Sequence, residues 1–145
     1  MTEKEYLEDR LESQLKWYSD KSSFNKTWFS RLRLLEIIAA ALIPFLSGMA
    51  DKINYSAWII GGLGVLIAVS AAISSLLKFQ ENWIEYRTIS EQLKHEKYIY
   101  LTDTKPYDSD NKFNLLVERV ESLISKENST WAATSKNLGG TPKKK

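Results

Sequence analysis

The chain has 145 residues, with 20 Lys and Arg against 18 Asp and Glu, one histidine (His95) and no cysteine. That is enough chain for one ordinary domain, and the missing thiols exclude a disulfide framework and a thiolate metal site. A formal charge of +2 is too balanced to argue for nucleic acid, and the mean hydropathy of −0.32 hides an apolar block at 34–77, interrupted only by "DKINYS" at 51–56.

Residues 1–33 predict an N-terminal cytoplasmic helix. Leu7, Leu11, Leu15 and Tyr18 recur at three or four residues. "SDKSS" at 19–23 is a candidate interruption, after which Phe24, Trp28 and Leu32 resume a stripe at spacing four. The stretch is charged throughout and lacks an apolar core, so no cleavable signal peptide is expected.

Two membrane spans follow. "LLEIIAAALIPFLSGMA" at 34–50 has 17 residues, at the short end of the range, and carries Glu36 and Pro44. Glu36 lies one turn from the end, with Arg33 three residues earlier on the same face. Pro44 removes a backbone bond to the Ala40 carbonyl, a break that membrane helices tolerate when neighbours or water satisfy the oxygen. "AWIIGGLGVLIAVSAAISSLL" at 57–77 has 21 residues and no charge on any face. It reaches ~32 Å, about one hydrocarbon thickness, whereas a soluble bundle helix would show a polar stripe. The external connector at 51–56 suits two antiparallel helices. Tyr55 and Trp58 sit at the hairpin end, and Trp28, Phe29, Phe79 and Trp83 sit at the other, as interfacial rings do. Lys16, Lys21, Lys26, Arg31 and Arg33 precede the hairpin, and Lys78, Arg87, Lys94 and Lys97 follow it. The connector has only Lys52, so both termini are expected in the cytoplasm.

Residues 78–127 read as a cytoplasmic helical region. With no Gly or Pro at 78–101, the second membrane helix is expected to continue there without a break. Phe79, Trp83, Tyr86, Ser90, Leu93, Lys97 and Tyr100 alternate spacings of four and three, a coiled-coil-like seam. "TDTKPYDSD" at 102–110 is a turn, and Ser109 or Asp110 can cap the next helix. That helix, about 111–127, places Phe113, Leu116, Val117, Val120, Leu123 and Ile124 on one face; residues 128–145 are expected to be a mostly disordered tail. The fold class is thus an all-α membrane protein. A two-helix transmembrane hairpin carries long cytoplasmic helical extensions, and a C-terminal helix packs back on them.

Three stretches carry a family resemblance. "LKWYSDKSSFNKTWFSRLRLLEIIAAALIPFLS" has a W-Y pair, a K-x-x-x-N-K step and an apolar run ending in I-P. "FQENWIEYRTISEQLKHEKYIYL" has the form W-x-x-Y-R-x-x-x-E-x-L-K-x-E, and "VERVESLISKENSTW" follows with its Glu and Trp. Over roughly 10–131 the chain resembles bacterial two-transmembrane proteins of the DUF4231 type, part of the SLATT superfamily. The resemblance implies a multi-pass protein of the bacterial inner membrane. It also implies a pore-forming effector of antiphage defence, controlled by a nucleotide or oligonucleotide that a nucleotidyltransferase partner makes.

Gly64, Ala68, Ala71, Ala72 and Ser75 form a small-residue stripe for packing within the hairpin or between copies. Ser70, Ser74 and Lys78 lie on another face and, with Glu36, are the pore-lining candidates; serines that bond back to carbonyls are the competing expectation. Two spans cannot enclose a conduit, so a pore needs a homo-oligomer in the bilayer, with a tetramer favoured and the 79–100 seam helping to hold it. Arg87, Glu91 and Lys94 share a face. They form either an intrahelical ion-pair ladder or a ligand site in which Arg87 and Lys94 meet phosphate while Trp83 or Tyr86 stacks on a base. No Gly-rich phosphate loop, nucleophile–base set or metal spacing appears, so neither an enzyme nor a cofactor is expected. The alternative function is a non-conducting anchor or scaffold whose cytoplasmic helices recruit a partner.

Overall fold

A computed structural model of the chain describes residues 1–139, with side chains at 1–126 and 129. Its elements are α1 (Glu3–Glu5), a π-helical turn (Tyr6–Leu11), α2 (Glu12–Gly48), α3 (Ser56–Leu77), α4 (Phe79–Leu101) and α5 (Lys112–Gly139), with no strand among the described residues. Thr2 opens the first helix with a reciprocal capping box to Glu5. The chain divides into two compact units, Met1–Tyr18 with Arg87–Lys145, and Ser19–Tyr86.

The first unit is a helical bundle. Leu11, Leu15, Leu93, Leu116 and Val120 are buried in its core, with Tyr6, Tyr18, Tyr100 and Tyr107 among them. Each such aliphatic side chain contributes about 1.5–3 kcal/mol by leaving water. The apolar stripe expected at 7–18, the 90–100 part of the seam and the α5 face from Phe113 to Ile124 all turn inward, wholly or in part. The C-terminal helix therefore does pack back on α4. Glu96 of α4 holds Arg119 of α5, and Tyr100 meets Tyr107 edge to face at 5.4 Å.

In the second unit, α2 and α3 run antiparallel. A single cleft is lined by Phe29, Arg33 and Glu36 together with Ala71, Ser74 and Ser75. Among the described residues one helical stretch, Ser56–Leu101 (α3 with α4), is long and apolar enough to cross a membrane by length and composition, and almost all of its apolar window is uncovered.

Several expectations change. α2 runs unbroken through "SDKSS" and through Pro44. Its inner face keeps the 11–15–18 rhythm through Ser22, Asn25, Phe29 and Leu32, so Phe24 and Trp28 stand on its exposed side. Ser22 and Asn25 fit inside because each has a carbonyl to bond: Ser22 Oγ donates to Trp83 O at 3.3 Å, and Asn25 Nδ2 to Lys21 O at 2.8 Å. The non-helical connector is 49–55. α5 continues through "ENST" to Gly139, so the tail expected from 128 is helical that far, and 140–145 lie outside the described residues. Within the chain, Phe79, Ser90, Leu93 and Tyr100 of the seam are buried, and Trp83, Tyr86 and Lys97 are partly covered.

The helix expected to run through 78–101 is also broken at its start. Lys78 is left-handed, with φ 48° and ψ 42°. Asn82 holds the break. Its side-chain amide donates to the Leu77 carbonyl at 3.1 Å, while its backbone N–H donates to Lys78 O at 2.9 Å. One orphan carbonyl at the end of α3 is thereby satisfied as α4 begins. A β-branched residue fits this conformation poorly. Lys78→Val should destabilise the protein by about 1–2 kcal/mol, read as a lower midpoint of thermal unfolding, whereas Lys78→Asn should not.

Candidate functional site

The covered face of α3 is built by Ser56, Ile60, Leu63, Ile67, Ser70 and Ser74, again at alternating fours and threes. Ser70 is 4% exposed. Within the protomer, then, Ser70 of the pore-lining set is covered. The apolar rhythm of α3 selects that face, and Ser56, Ser70 and Ser74 fall on it.

Ser74 and Glu36 come together in a polar cleft of about 240 Å³, which Arg33, Ser75, Gln80 and Glu81 also line. The Glu36 carboxylate is largely covered and accepts from Arg33 Nη1 at 3.1 Å. The ion pair foreseen from their spacing is therefore present, at the end of the apolar stretch where α2, α3 and α4 converge. Its neighbours are hydroxyls, an amide and a second carboxylate, so the cleft offers a cation or water more oxygen than nitrogen. Lys78 is half-covered at the joint between α3 and α4 and does not line the cleft.

Gly64, Ala68, Ala71, Ala72 and Ser75 are all exposed. A Cβ added to Gly64 would meet nothing within 4 Å. Ala71 and Ser75 of the stripe line the cleft against α2.

In the first unit, Arg87 Nη2 lies 3.0 Å from Glu91 Oε1, and Lys94 Nζ lies 3.2 Å from the same oxygen. This is the ladder. Arg87 and Glu91 open onto a groove of about 650 Å³ that His95, Glu96 and Arg119 also line, and Lys94 does not. Each arginine there already faces a carboxylate, so the groove carries little net field for an anion. Trp83 and Tyr86 belong to the second unit. The Lys26 ammonium sits 5.7 Å from the Trp83 ring, and Tyr86 lines an apolar groove.

The strongest polar constellation was not foreseen. Glu96, buried, receives two hydrogen bonds from Arg119, at 2.9 Å from Nε and 2.6 Å from Nη2, and a third from the Tyr107 hydroxyl. Burial works to raise the Glu96 pKa, but the Arg119 and Tyr107 hydrogen bonds outweigh it and leave the carboxyl below its ordinary value. Arg10 likewise grips Glu121 with two bonds, at 3.0 and 2.9 Å, joined by Tyr6 at 3.1 Å. The Arg10 bonds lower the Glu121 pKa against partial burial. A signal was present in the sequence: Glu96 falls beside Leu93 and Tyr100 on the seam, where a carboxylate must find cations. Among the described residues no group of three or more Asp, Glu or His gathers to hold a metal ion.

A helical chain with one span-like helix and these internal ion pairs is what the comparisons place in a family. The chain belongs to the DUF4231 family, described as "Protein of unknown function (DUF4231)", which matches residues 13–114. No curated protein and no solved structure matches it. The family match takes in the first two resembling stretches and stops before "VERVESLISKENSTW", although that stretch supplies Arg119 and Glu121.

Proposed function

We propose that the protein is a homo-oligomeric pore effector of a bacterial inner membrane, anchored by a two-span hairpin with both termini in the cytoplasm. The observation that carries this is the covered Glu36 carboxylate beside Ser74 in a polar cleft at the end of an apolar segment. An ionisable group so placed marks an ion path by default. The second span has support from Leu34, Ile37, Ile38, Leu42 and Phe45 of α2, all large, apolar and exposed. Assembly, with a tetramer favoured, has support from the uncovered small-residue stripe of α3. The SLATT resemblance supports a role in antiphage defence and control by a nucleotide or oligonucleotide from a nucleotidyltransferase. Such a phosphate would compete with Glu91 for Arg87 and Lys94.

Topology is tested with single cysteines, which are unique in this cysteine-free chain. Cysteine at Asn54 should react with an impermeant maleimide in intact cells, and cysteine at Ser109 should not. Conduction is tested in planar bilayers. The parent should pass current, and Glu36→Gln should incorporate and assemble equally while its cation conductance falls several-fold. A parent that incorporates fully and passes nothing under any condition, nucleotide included, is a scaffold. That alternative is favoured by Ser70, which turns into the helix contact, and by the already paired Arg87 and Lys94.

A further inference from the structure

Phe24 and Trp28 stand on the outside of α2, 57% and 41% exposed, while Ser22 and Asn25 take its covered face. Their rings pack on each other at 6.3 Å. With Leu32 they form one wall of a groove of about 520 Å³, whose other wall includes Ile73 and Leu77 from the end of α3. That volume is in the range of small-molecule sites. Lys21 and Asn25 lie at its other end, and of the residues that line the groove Lys21 alone is charged. Lys21 and Leu32 are eleven residues apart on one helix, or ~16 Å along its axis. This is about half the ~30 Å hydrocarbon core, the length of one extended acyl chain. Side chains on α2 lean towards its N-terminus, so the Lys21 stem continues the apolar wall and carries its ammonium beyond it.

We infer that this groove binds a single-chain amphiphile with an anionic head, a long-chain carboxylate or phosphate. The head pairs with Lys21, and the tail runs past Phe24, Trp28 and Leu32 to Ile73 and Leu77. The tail end joins the uncovered apolar surface of α3, and every methylene it covers leaves water. The ligand comes from the aqueous side. A bilayer phospholipid keeps its head at the membrane surface, beside Leu77 and Lys78, and would present it to the wrong end of the groove. The direction of the tail rests on the two-span placement; occupancy of the groove does not.

The test uses the full chain in phosphatidylcholine nanodiscs, with a long-chain fatty acid bearing a diazirine near its tail end. Photolabelling should be saturable and should map to Leu32, Ile73 and Leu77. The carboxylate probe should outlabel the same chain with a quaternary ammonium head by about tenfold. Lys21→Arg should keep that preference, Lys21→Glu should reverse it, and Ile73→Trp should fill the groove and abolish labelling. Equal labelling by the two heads overturns the proposal, as does a preference indifferent to Lys21→Glu. So does labelling of the groove only by a diazirine phosphatidylglycerol built into the disc, or a crosslink at Phe24 and Trp28 to a second copy of the chain. A chain that stays out of the discs overturns the two-span placement and not the groove, whose labelling is then read in the soluble fraction.

Discussion

Arg119→Ala should cost the helical bundle about 3 kcal/mol, because it strips two of three donors from a buried carboxylate. Glu96 is 6% exposed, and only Tyr107 would remain to it. The half-exposed arginine keeps the loss at the lower end of what breaking a buried pair costs. Arg10→Ala, at a pair open to solvent on both sides, should cost only about 1 kcal/mol. Unfolding in micelles followed by near-ultraviolet circular dichroism separates the two, since Tyr100 and Tyr107 meet edge to face in this core. The acid limb follows from the same bonds. Glu96 and Glu121 both have lowered pKa values in the folded protein. Their contribution is complete above the ordinary carboxylate value of ~4.3 and is lost as the pH falls through the lowered folded-state values. Arg119→Ala should flatten that acid limb. An unchanged limb would remove Glu96 as its cause.

The two faces of α3 should fail in opposite ways. Ser70→Leu forces a larger side chain into a covered position and should destabilise the protomer by about 1–3 kcal/mol. Gly64→Leu combined with Ala68→Leu falls on open surface and should leave the protomer's thermal unfolding unchanged. The same pair should weaken self-association by at least about tenfold, since the bulk holds neighbouring backbones apart. Sedimentation in density-matched detergent reads the second effect. A double variant that associates like the parent would rule out the small stripe as the contact between copies.

Most helices were legible because a single rhythm governs them. Alternating fours and threes place the covered residues of α2, α3 and α4, and Leu93, Leu116 and Val120 could be assigned to a core from spacing alone. The same rhythm was misread where polarity contradicts it. Ser22 and Asn25 are inside and Phe24 and Trp28 outside, and the reversal rests on two carbonyl contacts that no spacing reveals. The joint at Lys78 was invisible because its stabilising group, the Asn82 amide, lies four residues downstream in a sequence without glycine or proline. At the candidate site, the Arg33–Glu36 pair and the Arg87–Glu91–Lys94 ladder are local and followed from helical offsets. The Glu96–Arg119–Tyr107 group joins residues 11 and 23 positions apart, and the Arg10–Glu121 pair spans 111. Only packing brings these together.

The bundle that Tyr6 and Glu121 close is made from two segments far apart in sequence, these two residues being 115 positions apart. During synthesis the first helix must wait, its tyrosine and arginine without their carboxylate, until residue 121 has been made. The segment between them shortens that wait in entropic terms. Once residues 19–86 have folded, Ser22 lies against Trp83, which cuts 61 residues out of the loop. Closing a loop of half the length costs roughly 0.6 kcal/mol less. Assembly is therefore expected to run from the middle outward: the apolar hairpin forms first, and residues 1–18 then pair with the segment from 87 onward. A ribosome stalled before residue 119 should leave a finished hairpin and a protease-sensitive N-terminal arm.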